Sequence, residues 1–450
     1  MKKILLFFSA ICITQLLPAQ DTIPEKLDKI LTTYMKCNKF NGSVLVARSG
    51  KVLLAKGYGY KNVEDKTWND EHTIFQIGSM TKTFTATVIL KLVSQKKLAL
   101  TDKLSKYFPT FPKGDNITIK NLLTHTSGIF NYTDVYDFWA QSMKPTNKKS
   151  VLDSIMKRPL LFSPGEKFSY SNSNYMLLAY IIQKITGQSF ETIVTNWIFK
   201  PLKMLESGFD FTGLHDKDKA KGYWNFSAAK LVEGPHNDSS EFIGSGEIYS
   251  TVIDLYKWHE ALQESKVLDK KMLDQAYQQY KGAYGYGWEM DTIGGKRTVG
   301  HGGRVFGFEC SLIRVPEDDV CIILLNNNSD GPYLHAIGQK IMSVIYGQSY
   351  SLPEQPLDLS EEKLKPYAGM YVSDDHHNFE VKLINGHLFG MESPEHSLEL
   401  LPLTNNRFIF MEHEGEEGVL TFEMDENGLV KQFSTINSRG MKLTIKKVNK

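Results

Sequence analysis

The spacing of apolar positions changes period along the chain, and each change predicts an element. Residues 41–60 run Asn41-Gly42, Val44-Leu45-Val46, Ser49-Gly50-Lys51, Val52-Leu53-Leu54 and Gly57, a β-hairpin closed by a Gly turn. Ile74-Phe75-Gln76-Ile77-Gly78 then leads into Ser79. From there Met80, Phe84, Val88, Ile89, Leu92 and Val93 recur at helical spacing, and Gln95-Lys96-Lys97 suits a helix C-terminus. Residues 100–150 read as short helices and loops, and Ser163-Pro164-Gly165 as a turn. Asn174 to Ile185, ended by Gly187, is a second amphipathic helix, and Ser250 to Leu262 a third, with a polar irregular stretch, 206–245, between them. The period then switches to two over 284–290, 297–301, 306–315 and 320–325, which predicts antiparallel strands. Tyr333 to Tyr346 is helical again.

A hairpin at one end, strands and a helix at the other, and a mostly helical insert between them imply an α+β arrangement: an antiparallel sheet flanked by helices. Pro353, Pro356 and Pro366 mark a linker. Beyond Leu364 the pattern is strand-like, with Asn385-Gly386 and Asn427-Gly428 as hairpin turns. The expected organisation is a leader at 1–20, a catalytic-type unit at 21–350, a linker at 351–365 and a small β-rich domain at 366–450.

Composition narrows the class. The chain has 450 residues, 41% hydrophobic and 23% charged, ordinary for a globular protein. Lys2 and Lys3, the apolar run Ile4 to Leu17, and Pro18-Ala19-Gln20 form a signal-peptide pattern, so the protein is expected to be exported, to the periplasm or the medium. Removing that segment takes two of the 52 basic residues and none of the 51 acidic ones, leaving a net charge of 50 − 51 = −1. Such a balance attracts neither nucleic acid nor an anionic membrane surface, and no other apolar run is long enough to span a bilayer. No pattern sets an oligomeric state. Cys37, Cys310 and Cys321 remain. A turn at Pro316 to Asp319 places Cys321 opposite Arg314 rather than Cys310, so all three read as free, buried thiols. None has the neighbours of a metal site, and no cofactor motif is present.

The candidate chemistry begins with Ser-x-x-Lys. It occurs at Ser79–Lys82, Ser94–Lys97, Ser154–Lys157, Ser227–Lys230 and Ser360–Lys363. Only Ser79 follows a strand-like segment and a glycine at the start of a strong helix. One helical turn sets Lys82 over Ser79 on the same face, and the helix start offers unpaired N–H groups to developing negative charge. A serine hydroxyl needs a base, and a lysine serves as one only when burial or nearby cations lower its pKa. Tyr-x-Asn occurs three times. Only Tyr170-Ser171-Asn172 lies in a loop before a helix, where Tyr170 can pass a proton to a leaving group and Asn172 can hold Lys82 and an acyl amide; a capping cluster is the competing reading. Gly300-His301-Gly302-Gly303 opens a strand to close approach by a substrate, with the Arg304 N–H as a second oxyanion donor beside that of Ser79; a bulge with a surface histidine is the alternative. His301 serves either as a cation for a substrate carboxylate or as a neutral partner of Tyr170 or Ser79. The nearby Lys82 favours the neutral form.

These elements, in this order, resemble the serine β-lactamase/penicillin-binding-protein superfamily. The nearer likeness is to the class C β-lactamase-like family, which includes D-alanyl-D-alanine carboxypeptidases, D-aminopeptidases and esterases. Phe75-Gln-Ile-Gly-Ser79-Met-Thr-Lys82-Thr-Phe-Thr-Ala86, Leu122-Leu-Thr-His-Thr-Ser-Gly128, Tyr170-Ser-Asn-Ser-Asn-Tyr175 and Gly244-Ser-Gly-Glu-Ile-Tyr-Ser-Thr251 carry it, over about residues 25–345. The resemblance implies a Ser79 acyl-enzyme, with Lys82 and Tyr170 managing protons and a small molecule or short peptide as substrate. His301 stands where β-lactamases of this class have Lys in Lys-Thr-Gly, and Gly302 removes the threonine hydroxyl. Hydrolysis of amides in small or D-amino-acid-containing peptides is therefore expected first, with esterase, β-lactamase and non-catalytic penicillin-binding sensor as alternatives. Tyr367-Ala-Gly369-Met-Tyr371 resembles the lipocalin-like β-barrel domain appended to such hydrolases. His376, His377, His387 and His413 there lack ligand spacing and read as solvated.

Overall fold

The computed structural model of the chain describes residues 21–450, apart from 136, 227–230, 330–332, 375, 392–396, 412–416, 437–441 and 449–450. The expected leader, residues 1–20, and His413 lie outside the described residues.

Six strands form one antiparallel sheet: β1 (Gly42–Arg48), β2 (Lys51–Tyr58), β3 (Glu289–Ile293), β4 (Lys296–Val305), β5 (Phe308–Val315) and β6 (Val320–Asn326), in the order β2-β1-β6-β5-β4-β3. β1 pairs with β6 from Gly42↔Asn326 to Arg48↔Val320, which joins a hairpin near the start of the chain to a strand more than 270 residues later across one ladder. β6 is buried throughout, so it lacks the alternation of a half-exposed strand. Its side chains still divide by period two: Cys321, Ile323 and Leu325 enter one core, and Val320, Ile322 and Leu324 the other. Cys321 pairs with Arg314, as the turn requires, and Cys37, Cys310 and Cys321 are free and buried.

Helices cover both faces. α1 (Ile23–Lys36) and α5 (Tyr333–Ile345) pack on the face bearing Val44, Val46 and Ile313. α2 (Thr81–Ser94), α3 (Asn172–Thr186) and α4 (Val252–Gln263) lie on the other, with the helical insert. α2 is buried on all sides over its first ten residues. Its threonines tolerate this because their hydroxyls donate to carbonyls: Thr83 to Met80 O at 2.9 Å, Thr87 to Thr83 O at 2.8 Å, and Thr85 to Gly244 O at 2.7 Å. α3 ends at Gly187, whose φ is +70°. The sequence pattern does not single out α1, although Thr22 and Glu25 form its capping box and Leu27, Ile30, Leu31 and Tyr34 its buried face. The expected strand at 284–290 shifts to Glu289–Ile293, because Gly287, at φ +79°, turns the chain and leaves Tyr284–Trp288 as a loop.

Behind β5, Arg314 is 1% exposed. Its Nε donates to His259 Nδ1 at 2.9 Å and its Nη1 to Tyr277 Oη at 2.6 Å, while His259 Nε2 faces Asp319 Oδ1 at 3.2 Å. With Nδ1 accepting from a cation, the imidazole cannot take a second proton there; burial, then Arg314, pushes the His259 pKa down to about 2. The folded state therefore refuses a proton that the unfolded state accepts near pH 6.5. This stability is present above that pH and is lost as pH falls from about 6.5 toward 2, by about 2 kcal/mol at pH 5. Urea unfolding at pH 8 and pH 5 will show it, and His259→Gln will lose that part of the pH dependence; an unaltered slope in the variant contradicts the assignment.

The C-terminal part is a closed antiparallel barrel of β7 (Gly369–Ser373), β8 (Asn378–Ile384), β9 (His387–Met391), β10 (Ser397–Pro402), β11 (Arg407–Met411), β12 (Glu417–Met424), β13 (Val430–Ile436) and β14 (Lys442–Lys447), with β7 pairing β14. Closure removes the exposed edges a flat sheet would present. Tyr367, Tyr371, Phe408, Phe422 and Phe433 fill its interior, with neighbouring ring centroids 4.8–5.5 Å apart. The barrel meets the rest of the chain where Cys37 packs against Leu401, Leu403 and Ile409.

Candidate active site

Two backbone contacts place Ser79. Phe75 and Gln76 pair with Ser250 and Tyr249, and Ile77 N donates to Ile248 O, which fixes the approach to the helix. Gly78 then turns at φ +50° into a single 3-10 turn, Gly78–Met80, which runs into α2. The turn lies directly on β4. A Cβ on Gly78 would stand 2.8 Å from Arg304 N, and one on Gly303 would stand 1.9 Å from Ile77 O and 3.2 Å from Ser79 N. Both glycines are therefore required by close approach. Together they bring the N–H groups of Ser79 and Arg304 to one place, the arrangement an oxyanion needs. The Arg304 guanidinium points elsewhere, donating to Ser329 O at 2.6 Å.

Lys82 is fully buried, and its Nζ has three oxygen neighbours: Ser79 Oγ at 2.9 Å, Asn172 Oδ1 at 2.8 Å and Ser245 O at 2.7 Å. A neutral amine has two N–H bonds and one lone pair. The amide and carbonyl oxygens can only accept, so the lone pair of neutral Lys82 is left for the Ser79 hydroxyl. Burial pushes the Lys82 pKa down to about 7, against the opposing pull of Glu289 and Glu247. Asn172, the first residue of α3, is held by Thr133 Oγ1 at 3.1 Å from its Nδ2 and by Asn131 Oδ1 at 2.9 Å from its backbone N.

Tyr170 lies over the same lysine, its ring centroid 4.9 Å from Lys82 Nζ. Burial raises its pKa, a hydrogen bond with Ser79 partly opposes this, and the phenol stays protonated at neutral pH. His301 is buried, with Nε2 2.9 Å from Tyr284 Oη and Nδ1 2.5 Å from Gly302 O. Gly302 O can only accept, so Nδ1 carries the proton and Nε2 accepts from Tyr284. Burial lowers the His301 pKa and Lys82 adds to that, while Glu289 opposes it. From the sequence, Ser79 or Tyr170 is the expected partner of the neutral imidazole; the structure gives Tyr284. Thus Ser79, Lys82, Tyr170 and Asn172 converge directly, Gly303 and Arg304 bring the β4 backbone to them, and His301 and Gly302 stand one ring further along.

Residues 27–342 match the beta-lactamase family. The chain belongs to that family. Among similar proteins, penicillin-binding protein 4* of Bacillus subtilis (strain 168) is 28% identical over 437 residues, covering 90% of this chain and 97% of that protein. PbpX of the same strain is 31% identical over 316 residues, 70% of this chain and 78% of PbpX. The octameric penicillin-binding protein homologue from Pyrococcus abyssi superposes with a TM-score of 0.68 at 28% identity, over 94% of this chain and 99% of that one. The family and fold are those of serine hydrolases of the β-lactamase and penicillin-binding type.

This beta-lactamase-family site contains four residues that sequence reasoning did not assign. His125, in the stretch Leu122 to Gly128, packs against Tyr170 with ring centroids 4.3 Å apart and planes tilted by 34°, and its Nδ1 accepts from Ser171 N at 3.1 Å. It sits at φ +52°, a strained conformation for a non-glycine residue. Glu247 accepts from Gly244 N at 2.8 Å and Gly246 N at 3.3 Å, shaping the turn whose Ser245 carbonyl holds Lys82; burial pushes its pKa up to about 8. Tyr284 comes from the Gly-rich loop before β3, and Glu289 from the first position of β3. His125 and Glu247 lay inside quoted motifs, so position marked them, whereas no motif marks Tyr284 or Glu289. Among the described residues, no group of three or more His, Cys, Asp or Glu side chains is placed to hold a metal ion.

Proposed function

We propose that the protein is a serine peptidase or amidase of the class C β-lactamase-like type that cleaves amide bonds of small or D-amino-acid-containing peptides through a Ser79 acyl-enzyme. The observation that carries this reading is the 2.9 Å contact between Ser79 Oγ and a lysine whose pKa is pushed down to about 7. Neutral Lys82 takes the Ser79 proton as Oγ attacks the carbonyl carbon. The oxyanion formed accepts from the N–H groups of Ser79 and Arg304. As the tetrahedral intermediate collapses, Tyr170 gives its proton to the leaving nitrogen and is reprotonated from Lys82. Water, deprotonated by the same pair, then releases the acid and restores the serine. The protonated Tyr170 phenol supports an amide over an ester, because an amine must be protonated to leave and an alkoxide of low basicity need not be. Residues 1–20 direct export in this reading, which puts the activity in the periplasm or the medium.

A panel of D-amino-acid amides and peptides, short-chain nitrophenyl esters and nitrocefin tests the proposal. Turnover of the D-configured amides, with penicillin acylating Ser79, is the expected result. Turnover of esters alone would replace the amide reading with an esterase. Rapid nitrocefin hydrolysis without amide turnover would make the protein a β-lactamase, and acylation that never turns over would make it a sensor.

A further inference from the structure

β3 covers only part of the edge of β4. Their ladder runs from Lys296↔Ile293 to Gly300↔Glu289 and stops there. Beyond it, the backbone groups of alternate residues, Gly302 and Arg304, face off the edge of the sheet on the side where Arg304 N meets the Ser79 turn. An extended substrate would use that edge. The Gly302 N–H is already taken: Glu289 Oε2 accepts from it at 3.2 Å, and Glu289 Oε1 lies 3.9 Å from His301 Nδ1. The Glu289 side chain is 49% exposed, so a substrate can reach it. The two neighbouring basic side chains are turned to other partners, although Arg304 keeps its charge. The Arg304 guanidinium is bound to Ser329 O, and the His301 imidazole has both nitrogens engaged in its neutral form. Glu289 also acts on Lys82, Tyr170 and His301, which places its charge within electrostatic reach of the reacting groups.

The leaving group meets groups that connect to this carboxylate. Its proton donor is Tyr170, whose ring packs against Tyr284 at 6.2 Å; Tyr284 in turn binds His301, and Glu289 flanks His301. We propose that Glu289 sets the charge accepted on the leaving group, favouring a cationic or neutral group and opposing a free carboxylate. This rests on the acyl-enzyme reading above and deepens it: the substrate is an amide or peptide whose departing part carries an ammonium or no charge, and a terminal carboxylate is a poor leaving-side group. Gly302 offers no hydroxyl to hold such a carboxylate, and the backbone donor that remains is occupied by a like charge. Two unit charges a few ångströms apart in a partly wetted cleft repel strongly enough to change relative rates by about tenfold or more.

The test uses three N-acetyl-D-alanyl thioesters whose leaving thiols differ in charge, thioglycolate (anionic), methyl thioglycolate (neutral) and thiocholine (cationic), each rate being taken relative to its own uncatalysed hydrolysis so that the difference in thiol basicity cancels. Thiolates leave without a proton from Tyr170, so the series isolates charge recognition from acid catalysis. The full-length protein should show the highest kcat/KM for thiocholine and the lowest for thioglycolate. Glu289→Gln keeps the size and the acceptor for Gly302 N, and should lower the thiocholine-to-thioglycolate ratio by about tenfold. Asp291→Asn, two residues along the same strand, should leave the ratio unchanged and so excludes a diffuse charge effect. A parent enzyme that prefers thioglycolate, or a ratio unaltered by Glu289→Gln, overturns the proposal. Thioester turnover with the expected ratios but no amide turnover overturns the amide reading and leaves Glu289 supported. No thiol release from any of the three overturns both.

Discussion

Lys82→Ala will lower the rate of Ser79 acylation by about a thousandfold, and Ser79→Ala will abolish covalent labelling by a fluorophosphonate or a penicillin. The first effect is large because the lysine has no substitute: among the neighbours of Ser79, Tyr170 stays protonated, and Asn172 cannot take a proton. The pH dependence carries a sign. Lys82 acts only when neutral, and its pKa is pushed down to about 7, so acylation should rise through that pH and level off above it. Burying the amine has a cost. A proton held in the unfolded chain near pH 10.4 is released in the folded one near pH 7, so the folded state forgoes about 4 kcal/mol of stability at pH 7. Ser79→Ala leaves the lysine and its other two contacts in place, so it should fold normally. The rate of penicillin acylation, followed by intact mass from about pH 6 to 8, checks the limb. A flat profile would remove Lys82 as the base, and labelling of Ser79→Ala at another serine would remove Ser79 as the nucleophile.

The sheet and the main helices were legible because each buries one face or both against a partner. β1 and β2 announce themselves by a Gly turn, and α2, α3 and α5 by apolar spacing at 3.6 residues. β6 is an apolar run buried on both faces, and it was legible as a strand from the switch to period two and the turn before it; its pairing of Cys321 with Arg314 follows from that turn. α1 was missed although its pattern is present, because it adjoins the apolar leader and has no neighbouring motif. Ser79, Lys82, Tyr170 and Asn172 were legible because local sequence carries them: a turn and a helix in each case. Tyr284 and Glu289 were not, because their roles depend on which strand edge stays open and on a loop that Gly287 bends. Alternation across 284–290 predicted strand there. In fact the loop carries Tyr284 inward to meet His301 from a position seventeen residues away. Convergence of that kind leaves no periodic trace.

His301→Ala will lower turnover by about a hundredfold while leaving the fold intact. The effect passes through Tyr284 rather than Ser79. In the parent, Tyr284 donates to His301 Nε2, and its ring lies 4.7 Å from His125 and 6.2 Å from Tyr170. Removing the imidazole takes the Nε2 acceptor from a buried phenol and leaves it only its contact with Tyr175, at a cost of about 1–3 kcal/mol, and frees the ring against which the proton donor is packed. Tyr284→Phe tests the same link from the other side: it breaks the hydrogen bond but keeps the ring, so it should lose less activity than His301→Ala. The pH dependence separates this role from a carboxylate-binding cation. Burial holds the His301 pKa below its usual value, so the imidazole is neutral around pH 7 and charges only in a window beneath about 6.5. Once charged, both ring nitrogens are donors and Nε2 can no longer accept from Tyr284. Activity should therefore fall with acidity in a second step below the Lys82 limb, and Tyr284→Phe should weaken that step. A histidine that bound substrate carboxylate as a cation would give the opposite slope, with activity on free-carboxylate peptides rising as it charged. His301→Lys supplies a donor to the Tyr284 oxygen and a partner for Glu289, and should keep measurable acylation. If His301→Ala instead turns over within a few-fold of the parent, His301 is only a packing element of β4, and the link through Tyr284 to Tyr170 carries no chemistry.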